Sequence, residues 1–147
     1  MALTSDCRLS RRQSTAILAG LACVAYYSDC YGIRRVFLFG SAARGQATQD
    51  SDIDMLLVKD SGSPARNAAV ASTLEEELEQ FCLAFNMSEV QVTVRTQEQL
   101  EHDQTGFAGD IVMDCIELFR FGEEASQQDE VWLRELWRYR FKRFRKC

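Results

Sequence analysis

The sequence predicts an α/β fold, a single domain with a small mixed β-sheet and helices packed mainly on one of its faces. Three observations support this prediction. The chain has 147 residues, enough for one compact core and too few for two. Segments of helical and strand periodicity alternate along it. Val90, Val92 and Val94 alternate with polar residues, which indicates a strand with one buried face and one open face.

The first half of the chain alternates helices with strands. Residues 11–30 carry an apolar stripe at helical spacing, and Tyr31-Gly32 ends that helix. Residues 34–39 are a short apolar run typical of a buried strand, which Gly40-Ser41 closes. A brief helix is expected at residues 42–45, and residues 53–58 repeat the strand pattern.

The second half begins with a turn around Pro64, followed by a long helix over residues 65–85 that is rich in Ala, Leu and Glu. Residues 89–95 form the third strand, and residues 97–103 begin another helix. Residues 111–121 are apolar and favour a helix followed by a short strand near Leu118. From residue 129 to residue 147 a last helix is predicted from apolar residues at helical spacing: Trp132, Leu133, Leu136, Trp137, Phe141 and Phe144.

Charge is distributed unevenly. The chain has a net charge of -5, yet residues 131–147 contain seven Lys and Arg side chains against one acid, Glu135. The default interpretation is an amphipathic helix packed on the domain. A partner protein or RNA bound by the basic face is the alternative. The sequence leaves the oligomeric state open, a homo-oligomer included.

The six cysteines do not form a zinc-binding pattern, because no two are spaced as C-x-x-C and His102 is the single histidine. The first 13 residues lack an apolar run of signal-peptide length. The most apolar stretch, residues 16–27, is too short to cross a bilayer. We therefore expect a cytoplasmic protein with reduced thiols and no membrane association.

The segment with the most chemical information runs from the first strand into the second. Gly40-Ser41 closes the first strand, and after ten intervening residues Asp52-Ile53-Asp54 opens the second. Glycine allows a sharp turn and the close approach of a phosphate, and Ser41 can cap the following helix with its hydroxyl. Asp52 and Asp54 are two residues apart on a strand, so their carboxylates share a face. Such a pair suits a hard divalent cation.

This segment resembles the signature of the nucleotidyltransferase superfamily that includes DNA polymerase beta. The fuller pattern, Gly40-Ser41-Ala42-Ala43-Arg44-Gly45 with Ser51-Asp52-Ile53-Asp54, is most similar to the minimal nucleotidyltransferase branch. Members of that branch are often encoded as the antitoxin of a HEPN-domain ribonuclease toxin.

The resemblance implies a role for each matching residue. Gly40, Ser41, Arg44 and Gly45 would contact the nucleoside triphosphate. Asp52 and Asp54 would be the catalytic carboxylates and would hold Mg²⁺ or Mn²⁺. The implied reaction transfers a nucleoside monophosphate, with AMP from ATP as our expectation, to a hydroxyl. In the antitoxin branch that hydroxyl belongs to a tyrosine of the HEPN toxin.

One departure from the family pattern bears on activity. The family places a third carboxylate on the strand after the long helix, and the aligned residue here is Gln91. An amide is a poor magnesium ligand and cannot usefully accept a proton. Glu89, one side-chain step away on the same strand face, is the alternative base. Two further functions stay open: a catalytically weakened module that neutralises its partner by contact, and an antibiotic-modifying nucleotidyltransferase.

Overall fold

The computed structural model describes residues 9–103, 106 and 114–141. The helices in this part of the chain are α1 (Arg11–Tyr31), α2 (Gly40–Ala43), α3 (Pro64–Glu79), α4 (Gln97–Glu101) and α5 (Gln127–Glu135). The strands are β1 (Ile33–Phe39), β2 (Ile53–Lys59), β3 (Val90–Thr96) and β4 (Ile116–Arg120). A short 3-10 helix, Glu124–Ser126, precedes α5, and a π-helical segment, Leu136–Phe141, continues it.

The four described strands form one mixed sheet in the order β3-β2-β1-β4. β1 pairs antiparallel with both β2 and β4, whereas β2 and β3 run parallel. The parallel pair needs a crossover connection, and α3 provides it. The α/β class and the mixed sheet predicted from the sequence are confirmed.

One face of the sheet carries most of the core. α1 lies across it and buries Ala16, Ile17, Cys23 and Val24, whose side chains meet the apolar residues of the strands. α1 starts with a capping box between Ser10 and Gln13 and ends at a left-handed Gly32 (φ 66°). The other face is covered only locally: Leu56 and Val58 are buried there beside Phe37, Phe39 and Leu100. The prediction of helices mainly on one face is thereby confirmed.

The C-terminal segment packs against this core. Trp137 is fully buried and stacks on Phe141, and its ring lies edge-on to Phe81. Arg134 donates hydrogen bonds to the Ala25 carbonyl (3.0 Å) and the Ser28 hydroxyl (3.2 Å) of α1. The amphipathic packing predicted for residues 129–141 is therefore present, while Phe144 and the rest of the basic segment lie outside the described residues.

Three predictions about these elements were wrong in detail. The long helix ends at Glu79, and residues 80–86 form turns that allow both Phe81 and Met87 to be buried before β3 starts. The brief helix begins at Gly40, two residues before the predicted start. Trp132 is 54% exposed because the buried stripe passes through Leu133 and Trp137 instead. Among the helices of the described residues, none has the length and apolar character needed to cross a membrane.

Glu117 joins β4 to β1 by accepting a hydrogen bond from Arg35 (2.6 Å) and from Arg120 (2.8 Å). The hydrogen bond from Arg120 is the main cause that lowers the pKa of Glu117 from 4.5 to about 2. A depressed carboxyl pKa stabilises the fold above pH 4.5, and this contribution is lost as the pH falls towards 2.

We expect Glu117→Gln to lower the free energy of unfolding by about 1 kcal/mol at pH 7, since the network is partly exposed. Near pH 2 the variant and the wild type should differ little. Urea unfolding at the two pH values measures both. Glu124→Gln, at an exposed acid, is the matched control and should match the wild type throughout. A deficit that persists unchanged at pH 2 would contradict the ion-pair explanation.

Candidate functional site

The two aspartates and the glycine turn meet at one end of the sheet. Phe39, the last residue of β1, is paired with Asp54 near the start of β2, so Gly40 follows directly beside that aspartate. Asp54 is in turn paired with Gln91 on β3. Asp52 immediately precedes β2 and, two residues from Asp54, lies on the same side of the sheet. The site is therefore formed where β1 ends and β2 begins.

Gly40 is required at this turn for two separate reasons. Its backbone is in the left-handed region (φ 74°), which residues other than glycine rarely adopt. The carboxylate of Asp54 also occupies the space that a Cβ at position 40 would fill. A larger residue would therefore displace the aspartate, and the Gly-Ser turn and the carboxylate form one packed unit.

Asp54 is in an environment that disfavours its charge. Burial raises the pKa of Asp54 above its ordinary value, the negative charge of Asp52 raises it further, and Arg44 partly offsets both effects. The structure thus places the two carboxylates close enough to repel each other, with one cation nearby. A divalent cation between them would relieve this repulsion, and carboxylate oxygens are the ligands that Mg²⁺ prefers.

Gln91 is the third side chain at this position. Its Nε2 donates a hydrogen bond to Oδ2 of Asp52 (3.0 Å), which orients that carboxylate. The motif resemblance leads us to expect a carboxylate at this position, but the amide contributes a hydrogen-bond donor to Asp52 instead of a third negative charge.

The other residues predicted to bind the nucleotide lie on α2 and the loop after it. The prediction that Ser41 caps α2 was wrong. The N-cap residue is Phe39, without a side-chain hydrogen bond, and Ser41 lies within the helix, which starts at Gly40. The exposed Arg44 donates from Nε to the side chain of Gln46 (3.3 Å). Gly45 has a left-handed backbone (φ 71°). Their contact with a nucleotide remains a prediction.

Gln13 was missed by the sequence analysis, although it helps to position the site. It is buried in the first turn of α1, and its Nε2 donates to the backbone carbonyls of Thr48 (2.6 Å) and Ser51 (3.1 Å). These bonds fasten the loop immediately before Asp52. The available signal was a Ser-x-x-Gln capping box on the buried side of a helix, which the analysis of apolar spacing did not consider.

Glu89, the alternative base, precedes β3 and is exposed. It lines a groove together with Glu75, Glu79 and Cys82, on the side of β3 nearer to α3. Within the described ranges, no three His, Cys, Asp or Glu side chains are grouped closely enough to hold a metal ion. The geometry thus gives two carboxylates at the candidate metal position and does not group Glu89 with them as a third ligand, although Gln91, which bonds Asp52, lines the same groove as Glu89.

Comparison with known proteins identifies a family for most of this chain. The nucleotidyltransferase domain profile matches residues 26–118, which is more than half of the chain. No protein with a curated description matches significantly. Solved structures with a similar chain include a provisionally named nucleotidyltransferase from Sulfolobus solfataricus (18% identity, 74% of this chain and 82% of that chain covered, TM-score 0.49). Another is a toxin–antitoxin complex with AMP-PNP (16% identity, 81% of this chain and 87% of that chain covered, TM-score 0.44). A third is a tri-AMPylated Shewanella oneidensis HEPN toxin in complex with an MNT antitoxin (17% identity, 87% of this chain and 87% of that chain covered, TM-score 0.42).

The packing of Gly40 against Asp54 leads to a prediction about stability. Gly40→Ala should reduce the free energy of unfolding by more than the ~1–2 kcal/mol that a left-handed backbone alone imposes on alanine. Gly32→Ala is the matched control, because Gly32 has a similar φ (66°) and a Cβ there would be 3.9 Å from its nearest neighbour, Asp60. Urea unfolding compares the two variants. Equal losses of unfolding free energy in the two variants would show that the Asp54 carboxylate moves aside without reducing stability.

The raised pKa of Asp54 leads to a second prediction. A carboxyl whose pKa is higher in the folded state destabilises the protein increasingly as the pH rises through that pKa. Asp54→Asn should therefore have a higher urea midpoint than the wild type at pH 7 in the presence of a metal chelator. The gain should disappear at pH 2.5, where the carboxyl is neutral in both states. Asp50→Asn, at an exposed acid of the same loop, should show no gain.

Proposed function

Because the chain belongs to the nucleotidyltransferase domain family, we propose that it is a magnesium-dependent enzyme that transfers AMP from ATP to a hydroxyl group. The observation that carries this proposal is the electrostatic coupling of Asp54 to Asp52 directly against the Gly40 turn. Two repelling carboxylates beside a turn that only glycine fits are costly for stability and useful for holding a cation.

Asp52 and Asp54 are the residues that would hold Mg²⁺ or Mn²⁺, and their oxygens suit either ion. When bound, the cation supplies positive charge for the triphosphate oxygens and for the pyrophosphate that leaves. Gly40 and Ser41 would let the triphosphate approach the backbone of α2, and the Arg44 guanidinium, with Gly45 beside it, would contact a phosphate.

In the proposed reaction, the acceptor hydroxyl oxygen bonds to the α-phosphorus of ATP. The bond between the α-phosphorus and the bridging oxygen to the β-phosphate breaks, and pyrophosphate leaves with the electron pair. The hydroxyl proton must also be removed. Gln91 cannot accept it, so an acceptor that ionises readily is favoured. A tyrosine hydroxyl, with a pKa of about 10, meets this requirement better than a serine or a sugar hydroxyl does.

The motif resemblance to the minimal branch suggests the partner that carries the acceptor. We propose a HEPN-type toxin, whose tyrosine would receive the AMP while this chain acts as the cytoplasmic antitoxin. An antibiotic-modifying role is less well supported, because the motif of residues 40–45 and 51–54 is most similar to the minimal branch.

A second candidate function follows from the hydrogen bond between Gln91 and Asp52 (3.0 Å). That bond occupies one carboxylate oxygen at the position where the metal would be held. It favours a weakened enzyme that neutralises the partner by contact. The basic face of residues 131–147 would serve such contact, or would bind RNA, through exposed cations such as Arg138 and Arg140.

The catalytic proposal is tested with ATP labelled on its α-phosphate. Incubated with Mg²⁺ and a HEPN-type protein, the purified protein should transfer label to that protein and release pyrophosphate. Label on the γ-phosphate should not be transferred. Asp52→Ala combined with Asp54→Ala should reduce transfer by at least about a hundredfold, while Asp50→Ala, at an exposed acid of the preceding loop, should not. Unchanged transfer in the double variant would refute the proposal.

Gln91→Asp separates the two candidate functions. If the site is a weakened enzyme, a carboxylate at position 91 should increase the transfer rate while binding of the partner stays unchanged. If transfer is equally fast with Gln91 and with Asp at this position, Gln91 does not limit catalysis and the contact hypothesis loses its basis. Asn at position 91 is the matched control, since it shortens the side chain without adding charge.

A further inference from the structure

A second pocket lies at the opposite end of β2, where the strand leads into α3. Lys59, the last residue of β2, lines it together with Asp60, Ser61, Gly62 and Arg66. Lys59 is five positions after Asp54, a distance of about 17 Å along a strand. The two side chains also point to opposite faces of the sheet, because their positions differ by an odd number. The pocket is thus separate from the aspartate site.

Lys59 is a largely buried residue whose ammonium has no anionic partner among the described residues. The residue is 6% exposed, and among the described side chains no carboxylate lies within ion-pairing distance of its Nζ. Burial lowers the pKa of Lys59, and the neighbouring Arg66 guanidinium lowers it further. A buried charge without compensation is unfavourable, and a second cation beside it increases the cost.

Asp60, a carboxylate on the pocket wall, already forms an ion pair with Arg34. Asp60 accepts from Nε of Arg34 at 2.8 Å, on the exposed surface. The amide oxygen of Asn67 is buried without a hydrogen-bond partner in the described structure, but an amide is neutral and cannot balance the charge of Lys59. The protein groups described around the pocket therefore leave its positive charge unbalanced.

A glycine at position 62 leaves space beside the ammonium of Lys59. Gly62 has a φ of 135°, and a Cβ at this position would lie 3.3 Å from Nζ of Lys59 and 2.5 Å from the amide oxygen of Asn67. The space next to the ammonium is thus open because residue 62 is glycine. α3 begins two residues later, at Pro64, with no acid in its first turn, so the positive end of a 16-residue helix faces the same region.

We propose that this pocket binds a small oxyanion of the phosphate class, held by Lys59 and Arg66 beside the N-terminus of α3. The charge of a phosphate would offset the two cations, and its oxygens would accept hydrogen bonds from the Lys59 ammonium and the Arg66 guanidinium. Free phosphate and pyrophosphate share this chemistry. The site is independent of the proposed transferase activity, since none of its residues belongs to the aspartate site.

The proposal is tested by titrating the ¹⁵N-labelled protein with inorganic phosphate, and separately with pyrophosphate, at constant ionic strength and without divalent metal. We expect saturable shifts of the backbone amides of residues 59–66 with at least one of the two anions. The anion whose shifts saturate at the lower concentration is the ligand that the pocket prefers. Shifts confined to residues 40–54 would mean that the anion binds at the aspartate site, which would overturn the proposal.

Lys59→Met keeps the length of the buried side chain and removes its charge. It should weaken binding at least about tenfold, the loss expected for a charge-assisted hydrogen bond. Its own amide spectrum shows whether it is folded, and Arg66→Gln provides a surface variant that should also bind more weakly. Arg11→Gln, at an exposed cation in the first turn of α1, is the control and should bind as the wild type does. Equal affinity in Lys59→Met and the wild type, or no saturable shift at all, would refute the site.

Discussion

The contact between the Asp54 carboxylate and Gly40 is the constraint on which the candidate site depends. It requires β1 to end opposite the start of β2, and the antiparallel register that pairs Phe39 with Asp54 satisfies that requirement. It also requires a residue without a side chain, in a backbone conformation that favours glycine. The turn that would meet phosphate and the carboxylate that would meet metal are therefore fixed by the same atoms, and neither can be altered independently.

Charge is left unbalanced at both ends of β2, with opposite sign. At its beginning, Asp52 and Asp54 repel each other, and burial adds to the cost of ionising Asp54. At its end, the largely buried Lys59 lies beside Arg66. Between these two positions the strand is apolar and buried. At Glu117, by contrast, two arginines surround one carboxylate.

The sequence predicted the fold class and, over the described residues, the order of elements, because short-range periodicity determines them. The spacing of one motif also assigned the Gly40 turn and the two aspartates to a single candidate site. The sequence did not predict where the long helix ends, since the turn after Glu79 depends on burying Phe81 and Met87 together. Trp132 was placed on the wrong side because the buried stripe is set by contacts with Phe81 and Phe141. The role of Gln13 depends on bonds to residues 35 and 38 positions later, which a local pattern does not reveal.

The site combines contacts that are local in the sequence with one that is formed across the long crossover between β2 and β3. Gly40 and Asp54 belong to one antiparallel hairpin and can meet through local chain closure. Gln91 reaches Asp52 only after α3 has docked and the parallel pair has formed, which is a slower, non-local event. During folding, the acidic pair would thus exist for a time without the amide that later restrains it. A metal ion present in that interval would meet a more open and more mobile pair of carboxylates than the finished protein offers.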